Sequence, residues 1–483
     1  MQKKSLVRNF IYNLIYTGLN LLFPLITAPY VSRVLGATNL GKVNFASTVV
    51  NWFVLFAAFG VTTYGVREVA KIKKKGKDLD KLFSEIFIIN GVLSIIVTII
   101  YLYVIFNVKE FNSEFSLFLI MSLSIILNMF SIDWFYQGIE EYRYITIRST
   151  VFKVISLICI FLFVKEEGHY VIFGLISILS TSLSGILNFI YSRKFVKIQL
   201  RNTNFTKHFK PLSIFFVHTF IVNIYTNLDQ VLLGFLVNSK SVAFMNRSNV
   251  VINMAISVST SISNVTLPRA SYYRENNNEK FRNLLSQVPN YILWITIPIT
   301  VGCMCYASNI MYILGGKEFL ETTVLLQIMS IMIIFSPLST FLQYQVLVAS
   351  GKEKLGLYCA VTTSLLSLGL NIILIPVIGL IGAGIVRVVS EFFAVGLRYY
   401  IAKKKLNYIE VEFINKSTVT YLLAALIMGG VGLLVQITIP DLLLSFLVGI
   451  VLGGVIYLAV LVIMREQITM FIIDKAKKMI FKR

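Results

Sequence analysis

Charge is what this sequence has least of. Only 14% of its 483 residues are Asp, Glu, Lys or Arg, against about a quarter in an ordinary soluble domain. That shortfall excludes a soluble globular protein of this size. Histidine and cysteine are nearly absent, with three and four copies. The histidines (His169, His208 and His218) are scattered and make no catalytic or ligand pattern. Cys303 and Cys305 have C-x-C spacing, but no other thiol or histidine completes a metal site. With Cys159 and Cys359 they lie in apolar stretches and read as small buried residues. No phosphate loop, metal box, nucleophile elbow or paired-carboxylate constellation occurs, so nothing indicates an enzyme and no cofactor is expected. Long polar loops are missing too: none exceeds about 25 residues, so function is expected among apolar segments.

What remains is hydrophobicity. Apolar residues make up 57% of the chain and mean hydropathy is +0.78. Runs of about 20 apolar residues recur along the whole length, each enough for a spanning helix. The chain therefore reads as an all-α polytopic membrane protein. Fourteen spans are expected, at 10–34, 43–66, 82–106, 115–138, 146–164, 170–192, 211–237, 243–266, 284–306, 320–349, 355–376, 379–402, 417–439 and 442–464. A short basic amphipathic tail follows. The start resembles a secretory signal, but its apolar run is too long and no cleavage site follows, so it reads as the retained first span.

The net charge of +21 would suit nucleic acid if the basic residues shared a face. They alternate between loops instead. About 35 of the 44 fall in the loops and tails of one side, most of them at 67–81, 193–210, 269–282, 398–416 and 465–483, as the positive-inside rule requires. Both termini are expected in the cytoplasm.

Span one, Phe10 to about Gly41, carries polar residues at helical spacing: Asn13, Tyr16, Asn20, Pro24 and Thr27. A helix facing only lipid would not keep such a stripe, because each unsatisfied polar group in hydrocarbon costs several kcal/mol. The pattern recurs. Sliding the chain by 202 places Asn44 on Asn246, Asn51 on Asn253 and Arg67 on Arg269. An offset of 198 pairs Leu35-Gly36 with Leu233-Gly234. Two parallel six-helix lobes are expected, 1–200 and 201–405, with helices 13 and 14 and the tail at 406–483. Such duplicated bundles bind substrate between their halves. Asn13, Asn20, Asn44, Asn51, Asn223, Asn227 and Asn253 are the amide candidates for a cavity wall, since amides suit sugar hydroxyls. The plainer explanation for any one of them is a hydrogen bond between helices.

Ionisable residues at membrane depth are costly and usually functional. Asp229 lies inside span seven, Lys153 inside span five, and Arg387 and Glu391 stand at i and i+4 on span 12. These four are the ion-coupling candidates. Arg67, Arg247 and Arg269 are candidates for an anionic group, because guanidinium binds phosphate oxygens in a forked geometry. Asp133 and Glu85 fall near inner span ends, among aromatics that suit an interfacial belt.

Six segments resemble a known family: PLITAPYVSRVLG (Pro24–Gly36), GVREVA (Gly65–Ala70), DWFYQGIEEYRY (Asp133–Tyr144), NLDQVLLG (Asn227–Gly234), VLVASGKEK (Val346–Lys354) and NIILIPVIGLIGAGIV (Asn371–Val386). Together they resemble the bacterial Wzx-type polysaccharide flippases of the multidrug/oligosaccharidyl-lipid/polysaccharide exporter superfamily. The resemblance implies two six-helix lobes around a central cavity, plus two C-terminal helices. It also implies a transporter that moves undecaprenyl-pyrophosphate-linked oligosaccharide to the outer leaflet for capsule, O-antigen or a related polymer. Coupling to H+ or Na+ and contact with the polymerase machinery are further expectations, alongside the membrane lipids themselves. The segment VAFMNRS (Val242–Ser248) departs from the Gly-x-Tyr often seen there. The alternatives within the superfamily are a cation-coupled multidrug exporter and a lipid II flippase. If Asp229 carries a coupling proton, Asp229→Asn is expected to impair transport; polymer export retained at normal protein level would remove that role.

Overall fold

Apolar segments this long have one way to satisfy their backbone in lipid without closing a barrel, which is to coil. A computed structural model of the chain describes residues 6–75, 79–201, 203–406 and 411–480, with no strand among them. Side chains at 6–11, 13, 14, 16, 17, 20, 21, 73–75, 264, 265, 476, 479 and 480 lie outside the description. The helices are α1 Leu6–Ala58, α2 Val61–Lys75, α3 Leu79–Asn107, α4 Phe115–Met121, α5 Leu123–Ile126, α6 Asp133–Gly138, α7 Tyr142–Phe163, α8 Tyr170–Ser192 and α9 Thr206–Leu236. There follow α10 Ser239–Asn276, α11 Asn278–Cys305, α12 Ala307–Gly315, α13 Thr323–Ser330, α14 Met332–Phe341, α15 Glu353–Lys405, α16 Lys416–Thr438, α17 Leu442–Ile463 and α18 Gln467–Ile480. Twelve stretches among the described residues are long and apolar enough to cross a membrane. Two of them, Leu22–Ile72 and Glu353–Lys405, run to 51 and 53 residues. Each contains a glycine outside helical geometry: Gly36 (φ 71°, ψ 169°) and Gly379 (φ 55°, ψ −132°). A positive φ is open to glycine at little cost, which is why the helix turns at those two points.

The chain forms two compact units, Met1–Ala243 and Phe244–Arg483. In the first, α1 and α7 run parallel. The Thr146 hydroxyl donates to the Tyr12 carbonyl at 3.0 Å, and the Tyr30 hydroxyl donates to the Val164 carbonyl at 2.8 Å. α3 shows what faces outward. Ile95, Ile96, Ile99, Ile100, Tyr103 and Phe106 are exposed, while Asn90, Ser94, Thr98 and Tyr101 are buried on the opposite side. Polar groups inward and apolar groups outward is the arrangement that lipid demands. Near the base of the unit, Phe83, Trp134, Phe135 and Tyr136 form an aromatic core.

Glu85, placed by sequence at the interface, is instead fully buried at the junction of α3, α9 and the segment between α8 and α9. It accepts from Lys207 Nζ at 2.7 Å, His208 Nε2 at 2.9 Å and the Asn204 amide at 2.7 Å. Tyr64 joins the same group through His208 Nδ1 at 2.6 Å. A carboxylate with three donors can be buried where an isolated one could not.

Sequence periodicity predicts one helix over 115–138, but the structure breaks it. α4 and α5 give way to a 3-10 turn at Leu127–Phe130, and α6 restarts only at Asp133. Ser122 and Ser124 bond back to the carbonyls of Leu119 and Met121 at 2.6 and 2.7 Å, offering the backbone an alternative to regular helix. The amides of Asn90 and Asn128 meet at 3.3 Å beside the break.

The second unit is built on a core that includes Phe281, Leu285, Ile292, Phe341 and Tyr421, which joins α11, α14 and α16. A π-helical turn at Leu342–Val348 aims Gln345 at α10, where its amide donates to the Ser263 carbonyl at 3.0 Å and to Thr266 Oγ1 at 2.6 Å.

Within the first unit, the Cβ that Gly41 lacks would fall on the backbone of Ser239, so α1 and the start of α10 meet main chain to side. Gly41→Ala is expected to destabilise the protein by about 2 kcal/mol, because neither backbone can yield without moving a helix. Thermal unfolding of the purified protein reads this as a lowered midpoint.

Candidate functional site

Two helix faces in the first unit carry polar side chains, mostly hydroxyls, at spacings of three and four. On α7 these positions are Ser149, Lys153 and Ser156; on α8 they are Ser177, Ser180, Thr181 and Ser184. Facing one another, and closed by Phe23, Pro24 and Thr27 of α1 and by Ser131 and Asp133 at the break before α6, they line a cavity of about 520 Å³. That volume lies within the range of about 300–1,000 Å³ of small-molecule sites. Irregular backbone at membrane depth is tolerated where it lines a wet cavity, and the break at 131–132 does so.

At the base of the cavity the Asp133 carboxylate takes two bonds from the Arg148 guanidinium, at 2.9 and 3.1 Å. The Asn188 amide donates to the same carboxylate at 2.6 Å, and Arg148 also donates to Asn188 Oδ1. This forked pair fixes α6, α7 and α8 to one another. The Arg148 side chain is 7% exposed and that of Asp133 28%. Asp133 is therefore a member of a helix clamp, aimed at α7 by the break before α6.

Among the described lining residues, the ionisable side chains are Asp133, Arg148 and Lys153. Asp133 and Arg148 neutralise each other, so the lining carries a net +1, contributed by Lys153. Lys153 Nζ lies 5.9 Å from the centre of the Phe23 ring, on the α1 side. A cationic cavity walled by hydroxyls can hold an anionic group, with the charge attracting it and the hydroxyls donating to its oxygens. It offers no carboxylate free of an arginine to an organic cation.

The other residues singled out by sequence are distributed as follows. The side chains of Asn13 and Asn20 lie outside the described residues. Asn44 is half-buried, and Asn51, Arg67, Asn253 and Arg269 are exposed. Arg67 bonds Glu68 at 3.0 Å and lies over the Phe215 ring at 4.9 Å. Asn223 and Asn227 bond along their own helix, to the Thr219 carbonyl and to Asn223 Oδ1, each at 3.0 Å. Asp229 is buried, and its carboxylate accepts from the Gln230 amide at 2.9 Å; Gln230 in turn accepts from Thr48 at 3.4 Å. In the second unit, Arg247 is buried against the Phe319 ring, 5.8 Å from its centre. Arg387 donates to Asn249 Oδ1 at 2.6 Å, joining α15 to the polar stripe of α10. Glu391 is buried one turn further along α15.

Sequence reasoning found Lys153 and passed over Arg148 and Asn188. The signal was present: the α8 positions 177, 181, 184 and 188 repeat every three or four residues and are all polar. Replacing Asp133 with asparagine would leave the Arg148 cation buried without its counter-ion, at a cost of about 3 kcal/mol. The expected result is a clear drop in the thermal midpoint and in the yield of folded protein, partly recovered in the double variant Asp133→Asn/Arg148→Gln.

Comparison with known proteins follows the same lines. A family model described as "Polysaccharide biosynthesis protein" matches residues 6–274, more than half of the chain. A relative from Escherichia coli (strain K12), named as an O-antigen transporter, is 24% identical over 399 residues, covering 82% of this chain and 96% of its own. The capsular polysaccharide biosynthesis protein CapF of Staphylococcus aureus is 22% identical over 407 residues, covering 83% and 100%. Among solved structures, the lipid II flippase MurJ in an inward closed conformation superposes with a TM-score of 0.75 at 19% identity, over 95% of this chain and 100% of that one. An inward-facing multidrug resistance MATE transporter of the MOP superfamily gives 0.62 at 13% identity, over 80% and 94%. The fold is the one these transporters share. The chain belongs to the polysaccharide biosynthesis protein family.

Proposed function

We propose that this protein is a flippase that carries undecaprenyl-pyrophosphate-linked oligosaccharide repeat units from the inner to the outer leaflet of a bacterial cytoplasmic membrane. The units would supply capsule, O-antigen or another surface polysaccharide. The observation that carries this reading is the family match, together with relatives named for O-antigen transport and capsule synthesis. The cavity supports it chemically. A net positive, hydroxyl-lined chamber suits a pyrophosphate or an acidic sugar, and it suits poorly the amphipathic cations that a multidrug exporter moves.

The chain would cross the membrane fourteen times. Stretches of 51 and 53 residues are about 77 and 80 Å long as helix, more than twice a hydrocarbon core of about 30 Å. Each would therefore make two crossings, turning at Gly36 and Gly379. Both termini would be cytoplasmic. Six-helix lobes at 1–200 and 201–405 would alternate access to a headgroup while the polyprenyl tail stays in lipid. The asparagine faces of Asn44, Asn51, Asn223, Asn227 and Asn253 would receive sugars, and Arg67, Arg247 and Arg269 would receive phosphate. Asp229, Glu391 and Arg387 are the groups through which H+ or Na+ could couple to the cycle; Lys153, the fourth coupling candidate of the sequence, would instead attract the anionic headgroup from its place in the cavity wall. The polymerase that consumes the exported units is the expected functional partner.

A strain lacking this protein is expected to lose its surface polymer and to accumulate lipid-linked repeat units in the inner leaflet, both reversed by the wild-type chain. Mass analysis of extracted lipid-linked intermediates measures this. Unchanged polymer with increased drug sensitivity would point to the multidrug exporter instead.

A further inference from the structure

The last span does not end the fold. α17 stops at Ile463, and Arg465 takes a φ of 52°, in the left-handed region, which turns the chain out of the helix direction. Glu466 follows and is 5% exposed. Its carboxylate accepts from the amides of Ile468 and Thr469 at 3.0 and 2.8 Å and from the Thr469 hydroxyl at 2.9 Å, capping α18. It also accepts from the Tyr421 hydroxyl of α16 at 2.8 Å, while the Trp294 indole of α11 donates to Thr469 Oγ1 at 3.1 Å. One buried carboxylate thus latches the first turn of α18 to α11 and α16.

Beyond the latch the helix is open. Phe471 and Ile472 are 58% and 42% exposed, and Asp474, Lys475, Lys477 and Lys478 are exposed as well. At 100° per residue, Ile468, Ile472 and Ile473 share one side. Lys475 borders that side next to Ile468, and Lys477 and Lys478 point away from it, each about 130° from its centre. Three lysines against one aspartate leave the described helix with a net charge of +2, and the sequence continues with Lys482 and Arg483. An apolar side with lysines at its border and on the polar face is the pattern of a helix lying in a lipid interface.

We propose that α18 is an in-plane helix that binds the anionic headgroups of the membrane surface at which α17 ends. Two observations favour lipid as the occupant. α18 begins four residues after a spanning helix ends, so its apolar side cannot leave the interface, and its charge is complementary to an anionic leaflet. The latch fixes the position of the helix, and the lysines select the lipid. This site is separate from the cargo cavity and does not depend on what that cavity carries.

The test uses the full chain with its four cysteines replaced and a polarity-sensitive dye on Phe471→Cys, in nanodiscs of phosphatidylcholine with or without phosphatidylglycerol. Adding phosphatidylglycerol is expected to shift the dye emission to the blue, and high salt (about 1 M) is expected to reverse the shift. The variant Lys475→Gln/Lys477→Gln/Lys478→Gln should lose the shift at least tenfold in lipid affinity, given a factor of about five per basic residue. The salt titration needs no charge substitution, so the proposal stays testable if the triple variant folds poorly. Emission that is identical in the two lipids would overturn the proposal. So would a shift that survives both salt and the substitutions, or a water-like emission that turns apolar only when a soluble protein is added.

Discussion

A forked ion pair inside the first unit sets how three of its helices meet. Asp133 and Arg148, with Asn188 bonded to both, tie together three helices that Tyr136 and Tyr144 also join, through bonds to the Asn188 and Leu187 carbonyls. In hydrocarbon, apolar surfaces gain little by meeting one another, so specificity falls to polar groups and close small-residue contacts. Burying the pair is tolerable because the Asp133 carboxylate takes bonds from both terminal nitrogens of Arg148 and from Asn188, although the Arg148 Nε is left without a partner among the described residues. Its position also decides the chemistry of the cavity above it. With Asp133 committed to Arg148, the remaining lysine gives the chamber its sign.

The broken fourth segment is the counterpart of that clamp. An unbroken helix over 115–138 would carry Asp133 past α7. The 3-10 turn at 127–130 and the restart at Asp133 deliver the carboxylate to Arg148, and Ser131 at the break lines the cavity. Serines that bond back to their own helix and the Asn90–Asn128 amide contact make the break affordable within the membrane. Irregular backbone, a clamp and a polar chamber are one arrangement.

The membrane character, the helical class and most segment ends were legible in the sequence because hydropathy over about 20 residues is a strong, local signal. Gly36 and Gly379 were legible only as segment boundaries, since nothing local distinguishes a kinked double span from two helices joined by a loop. The site was less accessible. Lys153 stood out as a charge in an apolar run, whereas Arg148, closer to the span end, read as one more inner-loop cation. Asn188 and the α8 hydroxyls have meaning only against α7, a relation that spacing within one helix does not reveal. Glu85 and Asp133 were placed at the interface because their neighbours are aromatic; the structure places those aromatics in a core and the carboxylates in hydrogen-bonded networks.

Lys153, the lining cation outside the Asp133–Arg148 pair, is proposed to serve an anionic headgroup. The most direct test of that role is transfer of a fluorescent undecaprenyl-pyrophosphate-linked oligosaccharide across proteoliposomes containing wild-type, Lys153→Arg or Lys153→Gln protein at equal levels. Retained transfer with arginine and loss of at least tenfold with glutamine is the predicted result; glutamine protein transferring at the wild-type rate would contradict it.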